Sequence, residues 1–263
     1  MKLLTLTENT SCREDVRAEH GLSLYVETGA RKLLFDTGQS DLLLQNAGTL
    51  GVDLSAVDTV VISHGHYDHG GGLPAFLEVN RKAPVYVSEH AFGEFYHGPQ
   101  KYIGLNPALR GNPRLIPVGT KTDLGGGLIL IPGTDVPTPY PVRSFGLEIR
   151  EERRFRPDDF AHEQYLLLEE NGKTILFSGC SHRGILNIAE YFRPDVLIGG
   201  FHFMKLDPAG DGKQALEAAA EILLALPTRY YTCHCTGISQ YAFLKAILGD
   251  RLSYLSAGSG LEL

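Results

Sequence analysis

The first third of the chain alternates short apolar runs with turn residues. Runs of this length, rich in leucine and valine and bounded by glycine or aspartate, predict β-strands. The four predicted strands cover residues 3–7, 22–27, 32–35 and 59–62. Apolar positions at helical spacing predict helices over residues 40–47 and 73–79. This part of the chain is therefore a strand meander that continues into strand and helix pairs.

The second half of the chain repeats this succession. Predicted strands cover residues 145–150, 164–169, 174–177, 196–198, 230–232 and 253–255, and predicted helices cover 184–191, 214–226 and 238–248. Strands followed by helices in each half fit two mixed β-sheets packed face to face, with helices on both outer sides. We therefore predict an α/β fold, a four-layer αββα sandwich, formed by a single domain over residues 1–263.

The middle of the chain, about residues 97–143, interrupts every periodic pattern. Proline and glycine recur throughout it, so we expect an irregular insertion here. Long irregular segments in a compact domain are often functional, and the aromatic residues Phe92, Phe95, Tyr96 and Tyr102 near its start are candidates to line a pocket. A surface loop without a function is the alternative.

Composition and charge restrict the class of protein and its partners. Of the 263 residues, 43% are hydrophobic and 21% are charged, which is typical of a globular protein. The formal net charge of -7 disfavours a nucleic-acid partner, because a phosphate backbone repels an acidic surface. We find neither a signal peptide nor the run of roughly 18 apolar residues that spans a membrane. We expect a cytoplasmic protein with a small-molecule substrate, and a homo-oligomer is compatible with this composition.

Three histidines and one aspartate fall within six residues, directly after a predicted strand. The run His64-Gly65-His66-Tyr67-Asp68-His69 offers imidazole nitrogens and a carboxylate, which are ligands that zinc and related ions prefer. Such a density of polar groups suits neither an apolar core nor an ordinary solvated face, although a histidine-rich surface loop is the alternative. The run therefore predicts a metal site.

This run resembles the His-x-His-x-Asp-His signature of the metallo-β-lactamase superfamily. The resemblance implies that His64 and His66 bind one metal ion, and that Asp68 and His69 bind a second one. Upstream, Leu34-Phe35-Asp36-Thr37-Gly38 resembles the family's strand-turn motif, which implies that Asp36 supports the site by hydrogen bonding. The expected cofactors are two divalent metal ions, zinc first, with manganese and iron as alternatives.

Further ligands must come from distant strand ends. In Ser178-Gly179-Cys180-Ser181-His182, Cys180 stands where the superfamily carries a bridging aspartate, and His182 is a candidate for the missing coordination. A thiolate can bind zinc, whereas a buried cysteine that only packs is the alternative. His234 matches the position of the family's last metal-binding histidine. Cys233 and Cys235 alternate with His234, so we expect both to face away from it and to pack in the core.

Two more histidines are candidates beside the metal ions. His202 follows two glycines at a strand end and is a candidate ligand, base or oxyanion stabiliser. Glu19-His20-Gly21-Leu22-Ser23 resembles the amino-terminal motif of one branch of the superfamily, which implies that His20 lies near the mouth of the site. A structural histidine is the alternative for His20. The expected catalytic residues are Asp68, His182 and His202.

Together these motifs resemble a branch of the superfamily described as metal-dependent hydrolases, over nearly the full chain. The resemblance implies that a dinuclear centre activates hydroxide against a small ester, thioester, lactone or phosphoester. Archaeal relatives in this branch join a dihydropterin to a ribofuranosyl aminobenzene phosphate, so a condensing synthase is one alternative. A non-hydrolytic, metal-dependent redox or sulfur enzyme is the other.

Overall fold

Two seven-stranded β-sheets form the centre of the structure, a computed structural model that describes residues 1–263. The strands are β1 (Lys2–Thr7), β2 (Ser23–Glu27), β3 (Lys32–Phe35), β4 (Thr59–Val61), β5 (Val85–Ser88), β6 (Phe95–His97), β7 (Lys101–Tyr102), β8 (Leu115–Val118), β9 (Thr122–Gly125), β10 (Leu128–Pro132), β11 (Leu147–Glu151), β12 (Arg154–Pro157), β13 (Gln164–Glu170), β14 (Lys173–Ser178), β15 (Val196–Gly199), β16 (Arg229–Thr232), β17 (Leu252–Tyr254) and β18 (Gly260–Glu262). The helices are α1 (Leu42–Thr49), α2 (Tyr67–Gly70), α3 (Leu73–Val79), α4 (Ile185–Phe192), α5 (Lys213–Ala225) and α6 (Ile238–Leu248).

Each large sheet is antiparallel in one part and parallel in the other. The first has the strand order β18-β1-β2-β3-β4-β5-β8, and it is parallel from β3 to β8. The second has the order β17-β16-β15-β14-β13-β10-β9, and it is parallel from β14 to β17. The parallel pairs of the second sheet are joined through α4, α5 and α6, as a parallel connection requires.

The four layers follow from the alternation of side chains along each strand. In β3, Leu33 and Phe35 pack in the core between the two sheets, whereas Leu34 packs against the helix layer of α1 and α3. In β14, Phe177 lies in the core between the sheets and Leu176 lies under α4, α5 and α6. Because neighbouring residues of a strand face opposite sides, one strand contributes to two cores. The predicted αββα sandwich of mixed sheets is confirmed.

The proline- and glycine-rich middle is more regular than the sequence predicts. The expectation of an irregular insertion over residues 97–143 is wrong in part, because β7 to β10 lie within it. Strands β8 and β9 are edge strands of the two large sheets, and they contain Pro117 and Gly125. An edge strand tolerates proline because the missing N–H faces away from the ladder. A third sheet, with the order β12-β11-β6-β7, was not predicted.

The segments that carry the predicted ligands follow strand ends on one side of the sandwich. Residues 62–69 follow β4, and residues 179–182 follow β14. Residues 200–202 and 233–236 follow β15 and β16. Carboxyl ends of parallel strands meet at one edge of a sheet, which is where α/β proteins bind ligands. None of the helices combines the length and the apolar composition that a membrane crossing would need.

Candidate metal centre

Four buried histidines turn ring nitrogens toward one another. His64 Nε2 lies 3.2 Å from His182 Nε2, and His69 Nε2 lies 3.3 Å from His234 Nε2. The thiol of Cys180 lies 3.2 Å from His69 Nε2. Two neutral imidazoles whose lone pairs face each other are stabilised when a cation sits between them. We call His64, His66 and His182 the His64 subsite, and we call Asp68, His69 and His234 the His69 subsite.

Hydrogen bonds orient the rings of the His69 subsite. His69 Nδ1 donates to Asp36 at 2.7 Å, and His234 Nδ1 donates to the side-chain oxygen of Asn9 at 2.8 Å. Both bonds leave the Nε2 lone pair free toward the centre. Burial lowers the pKa of His69, but Asp36 and Asp68 raise it to about 9. Asp36 and Asp68 therefore favour a positive charge at His69, which a proton or a metal ion at Nε2 would supply.

Asp36 connects this subsite to the other one. Its carboxylate accepts the backbone N–H of Ser63 at 2.6 Å and the Ser63 hydroxyl at 2.7 Å. The Ser63 hydroxyl also lies 2.9 Å from His64 Nδ1. A side chain at Gly179 would overlap Ser63 Oγ, so a glycine is required where β14 ends against this network. Asp36 has the supporting position that the sequence predicts.

Aromatic rings pack directly against two histidines of the His64 subsite. Phe160 stacks on His182 with a centroid distance of 4.5 Å and an angle of 8°, and Phe95 meets His66 edge-on at 5.7 Å. Burial lowers the pKa of His66 to about 3, and it lowers the pKa of His64 and His182 well below the ordinary value. His66 Nε2 and His182 Nδ1 are buried and have no hydrogen-bond partner. These are neutral rings with lone pairs available to a cation.

Buried carboxylates also hold the backbone of the ligand-bearing turns. Glu163 accepts the backbone N–H of His182 at 2.7 Å and that of Arg183 at 3.0 Å. Glu8 accepts the backbone N–H of His234 at 2.6 Å. Sequence analysis missed both glutamates, because each acts on a turn that is far away along the chain. The only local signal is that Glu8 and Glu163 each follow or precede a strand end.

His162 supports the turn between the first two histidines. Its Nδ1 accepts the backbone N–H of Gly65 at 2.9 Å, and its Nε2 lies 3.1 Å from an Asp158 carboxylate oxygen. Both ring nitrogens therefore have partners, and His162 positions His64 and His66 rather than offering a free lone pair.

Two further groups border the centre. His202 lies against His182 with a ring distance of 4.2 Å, and both of its ring nitrogens are buried without a partner. Cys235 donates its thiol hydrogen to the Cys180 carbonyl at 3.4 Å and lines the same cavity. The expectation that Cys235 packs away from the site is therefore wrong, whereas Cys233 does lie in the core between the sheets. The alternation stops because His234 has a φ of +50° and begins a short 3-10 helix.

Backbone strain is concentrated around the centre. Asp36, Ser181, His202 and His234 have φ values of +61°, +56°, +55° and +50°. Non-glycine residues in the left-handed region cost about 1–3 kcal/mol each, and they cluster at functional sites. The fold accepts this cost where the ligand-bearing turns leave their strands.

His20 and Asp68 stand at the mouth of the site. Asp68 Oδ2 lies 3.2 Å from His20 Nε2 and 3.3 Å from His234 Nε2. Burial opposes ionisation of Asp68, but His69, His20 and His234 lower its pKa well below the ordinary value. A cavity of about 210 Å³ opens above these groups, and it is lined by His20, Asp68, Cys180 and His202, among others.

The structure brings the sequence-predicted residues together around this cavity. Four groups of candidate donor atoms that lie within 4.8 Å of one another draw on His20, His64, His66, Asp68, His69, Cys180, His182, His202 and His234, and a fifth consists of His66, Asp158 and His162. Free imidazole nitrogens, a carboxylate and a sulfur fit divalent zinc, iron or manganese. The residues present therefore fit a pair of metal ions.

Comparison with known proteins agrees with this arrangement. The family model of the metallo-β-lactamase superfamily matches residues 16–231. The chain belongs to this superfamily. Its structure is similar to the crystal structure of a metal-dependent hydrolase of the β-lactamase superfamily, with a TM-score of 0.84, 31% identity, and coverage of 100% of this chain and 99% of that one.

Two proteins of Methanocaldococcus jannaschii are similar over most of their length. One is an uncharacterized protein that is 28% identical over 245 residues, covering 88% of this chain and 89% of its own. The other is 7,8-dihydropterin-6-methyl-4-(β-D-ribofuranosyl)-aminobenzene-5'-phosphate synthase, which is 26% identical over 265 residues, covering 90% of this chain and 88% of its own. The superfamily is therefore shown, while the names of the solved structure and of the synthase describe different reactions.

Proposed function

We propose that this protein is a hydrolase that uses two divalent metal ions, zinc first, to cleave a small ester, thioester, lactone or phosphoester. The observation that supports the proposal is the convergence of ring nitrogens from distant strand ends below one open cavity. Cys180 supports a shared centre, because its sulfur groups with His64 and His69 within 4.8 Å. In the proposal, each subsite would hold one ion, and Cys180 would be a ligand near both subsites.

The chain's own residues would divide the work of hydrolysis. A pair of divalent ions, when bound, would lower the pKa of a bound water to about 7 and polarise the substrate's carbonyl or phosphoryl oxygen. The lowered pKa of Asp68 keeps its carboxylate charged at the cavity, where it would hold a metal ion and orient the water. His202 has two ring nitrogens without partners, and it is placed to donate a hydrogen bond or a proton to the leaving group. His182, beside it, is the second candidate for that role.

A condensing synthase of the dihydropterin type is the second candidate function. Two observations favour it: the similarity to the archaeal synthase over 90% of this chain, and Cys180 in the position of the bridging carboxylate. A sulfur between the ions changes their charge and their preference for water. The same pocket and ligands would then orient two substrates for joining.

The test compares both reactions on one preparation. Purified protein is analysed for metals by mass spectrometry, then assayed against esters, thioesters, lactones, lactams, phosphodiesters and the pair of dihydropterin and ribofuranosylaminobenzene phosphate. We expect about two ions per chain, and turnover of one hydrolysable class that is lost on chelation and restored by zinc. Product from the pterin pair alone would overturn the hydrolase proposal in favour of the synthase.

A matched pair of histidine variants completes the test. His66→Ala removes a ring of the His64 subsite, and we expect it to lose both metal and turnover. His90→Ala removes a ring that is 54% exposed and lies outside the centre, so it should keep both. Full turnover by His66→Ala would contradict the assignment of the site.

A further inference from the structure

The cavity above the metal centre continues into a second cavity. The first encloses about 210 Å³ and the second about 180 Å³, and Phe145, His182 and His202 line both of them. The His202 ring stands at the junction, 5.5 Å from the Phe145 ring and 4.2 Å from the His182 ring. The two cavities are thus one cleft with a metal lobe and an apolar lobe, and together they reach the size of an ordinary ligand site, roughly 300 Å³ or more.

The walls of the apolar lobe are mostly apolar, although Arg143 also lines it. They are formed by the segment before β11, by the start of α4, by the turn after β15 and by α5. The lining includes Phe145, Leu186, Phe201, Phe203, Leu206 and Ala215. Tyr140 at the rim is fixed by hydrogen bonds to Glu190 at 2.8 Å and to the side chain of Asn187 at 2.8 Å. This lobe can bury the apolar part of a ligand that reaches the metals with its other end.

The metal lobe carries positively charged side chains. Lys101 and Lys205 line the metal lobe. The lysine side chains that form ion pairs in the structure are those of Lys32, Lys213 and Lys245, so neither lysine of the lobe is neutralised by a carboxylate. Lys101 instead lies over the ring of Tyr67, with its Nζ 5.4 Å from the centroid. Two unpaired ammonium groups beside a cationic centre favour an anionic group on the ligand.

We propose that the cleft binds an amphiphilic anion, whose apolar chain or ring fills the apolar lobe and whose anionic group lies at Lys101 and Lys205. The reactive bond then lies at the junction beside His202. Only this last statement rests on the proposed function, since the shape and charge of the cleft do not depend on the reaction. The substrate class is therefore an acyl or aryl compound that carries a phosphate or a carboxylate.

The test measures binding without turnover. A series of n-alkylphosphonates, from methyl to octyl, is titrated calorimetrically into the zinc-loaded protein. Phosphonates keep their C–P bond under hydrolysis, so affinity is read without reaction. We expect the affinity to rise about fourfold for each methylene that enters the apolar lobe, and to stop rising when the lobe is full. An affinity that is independent of chain length would overturn the proposal.

Two alanines of α5 provide a matched pair. Ala215 lines the apolar lobe, whereas Ala218 on the same helix is exposed and does not line it. Ala215→Phe should make octylphosphonate bind no better than methylphosphonate, with metal content unchanged. Ala218→Phe should keep the dependence on chain length. Equal behaviour of the two variants would contradict the placement of the chain.

The lysines are tested separately. Lys205→Gln should weaken every member of the series by the same factor, about fivefold, because it removes charge and no apolar surface. A loss that grew with chain length would place the anion elsewhere. If no ester is hydrolysed but these binding patterns hold, the hydrolase proposal fails and the cleft assignment stands. If esters are hydrolysed and chain length has no effect on affinity, the cleft assignment fails and the hydrolase proposal stands.

Discussion

The two metal subsites are built by different means. In the His69 subsite, Asp36 and Asn9 hold the outer ring nitrogens of His69 and His234. In the His64 subsite, aromatic rings pack against the histidines, and His182 Nδ1 has no partner at all. Hydrogen bonds fix a ring's tautomer and raise its basicity, whereas packing fixes its plane and excludes water. We therefore expect the His69 subsite to bind its ion more tightly, and the His64 subsite to be the more adaptable one.

The largest effect should come from removing one ring of each subsite. His69→Ala and His182→Ala each leave a subsite without one of its three groups. We expect metal content to fall from about two ions to about one per chain. Turnover should fall by more than about 100-fold, which is the largest loss expected when a residue that only hydrogen-bonds a ligand is changed. Mass spectrometry and steady-state kinetics measure both quantities. Two ions retained by either variant would mean that its ring is not a ligand.

A substitution at a residue that hydrogen-bonds a candidate ligand should change the metal affinities of the two subsites by different amounts. Asp36→Asn weakens the hydrogen bond that orients His69, so affinity at the His69 subsite should fall about 10- to 100-fold, and the His64 subsite should change less. Competition with a chromophoric chelator resolves the two affinities. Asp15→Asn, at an exposed carboxylate beside Arg13, is the matched control and should have no effect. Equal losses at both subsites would break the comparison.

The ring of Phe160 should contribute less to metal affinity than the carboxylate of Asp36 does. Phe160→Leu keeps an apolar side chain but removes the ring stacked on His182, so affinity at the His64 subsite should fall about 2- to 10-fold. The same chelator competition measures it. Phe155→Leu, at a partly exposed ring on β12, should leave both affinities unchanged. A loss larger than that of Asp36→Asn would reverse the ranking of the two supports.

Metal-free protein should show opposite pH responses in the two subsites. Burial lowers the pKa of His66 to about 3, so protons bind the unfolded chain more readily and stability falls as the pH drops below about 6.5. Burial also lowers the pKa of His69, but Asp36 and Asp68 raise it to about 9. The stability from this pair is complete below about pH 6.5 and is lost as the pH rises through 9.

The Tm of chelator-treated protein should therefore be highest near pH 6.5 and fall on both sides. Asp36→Asn should flatten the alkaline fall and leave the acid fall in place, as measured by calorimetry. An alkaline fall of unchanged size in this variant would show that His69 is not responsible for it.

The convergence of the candidate ligands could be predicted because they lie within short motifs at strand ends. His64, His182 and His234 each follow an apolar run, and a run of that kind forms a buried strand whose end is fixed in space. Asp36 follows β3 in the same way. Neighbouring parallel strands then bring these ends together, so the positions along the sequence are enough to predict that the side chains meet.

The supports of the ligands could not be predicted in this way. The hydrogen bond from His234 to Glu8 joins residues 226 positions apart, and its existence depends on how the first strand packs against the last ones. Cys235 enters the site because the backbone at His234 turns left-handed, which strand alternation does not anticipate. Pro117 in β8 argues against a strand when the sequence is read alone. The strand is tolerated because β8 lies at the edge of its sheet, and this position follows from the folded sheet and not from the segment.

The tie between Glu8 and His234 also has a consequence for how the protein acquires its metals. During synthesis, residues 64–69 leave the ribosome long before His234, and the pairing of β1 with β18 requires residues 260–262. Contacts between distant parts of a chain form late, because closing the long loop costs entropy. A nascent chain thus exposes His64, His66, Asp68 and His69 before the residues that complete the site have been synthesised. We expect the completed protein, after its release, to select its two ions from those that the cell then offers.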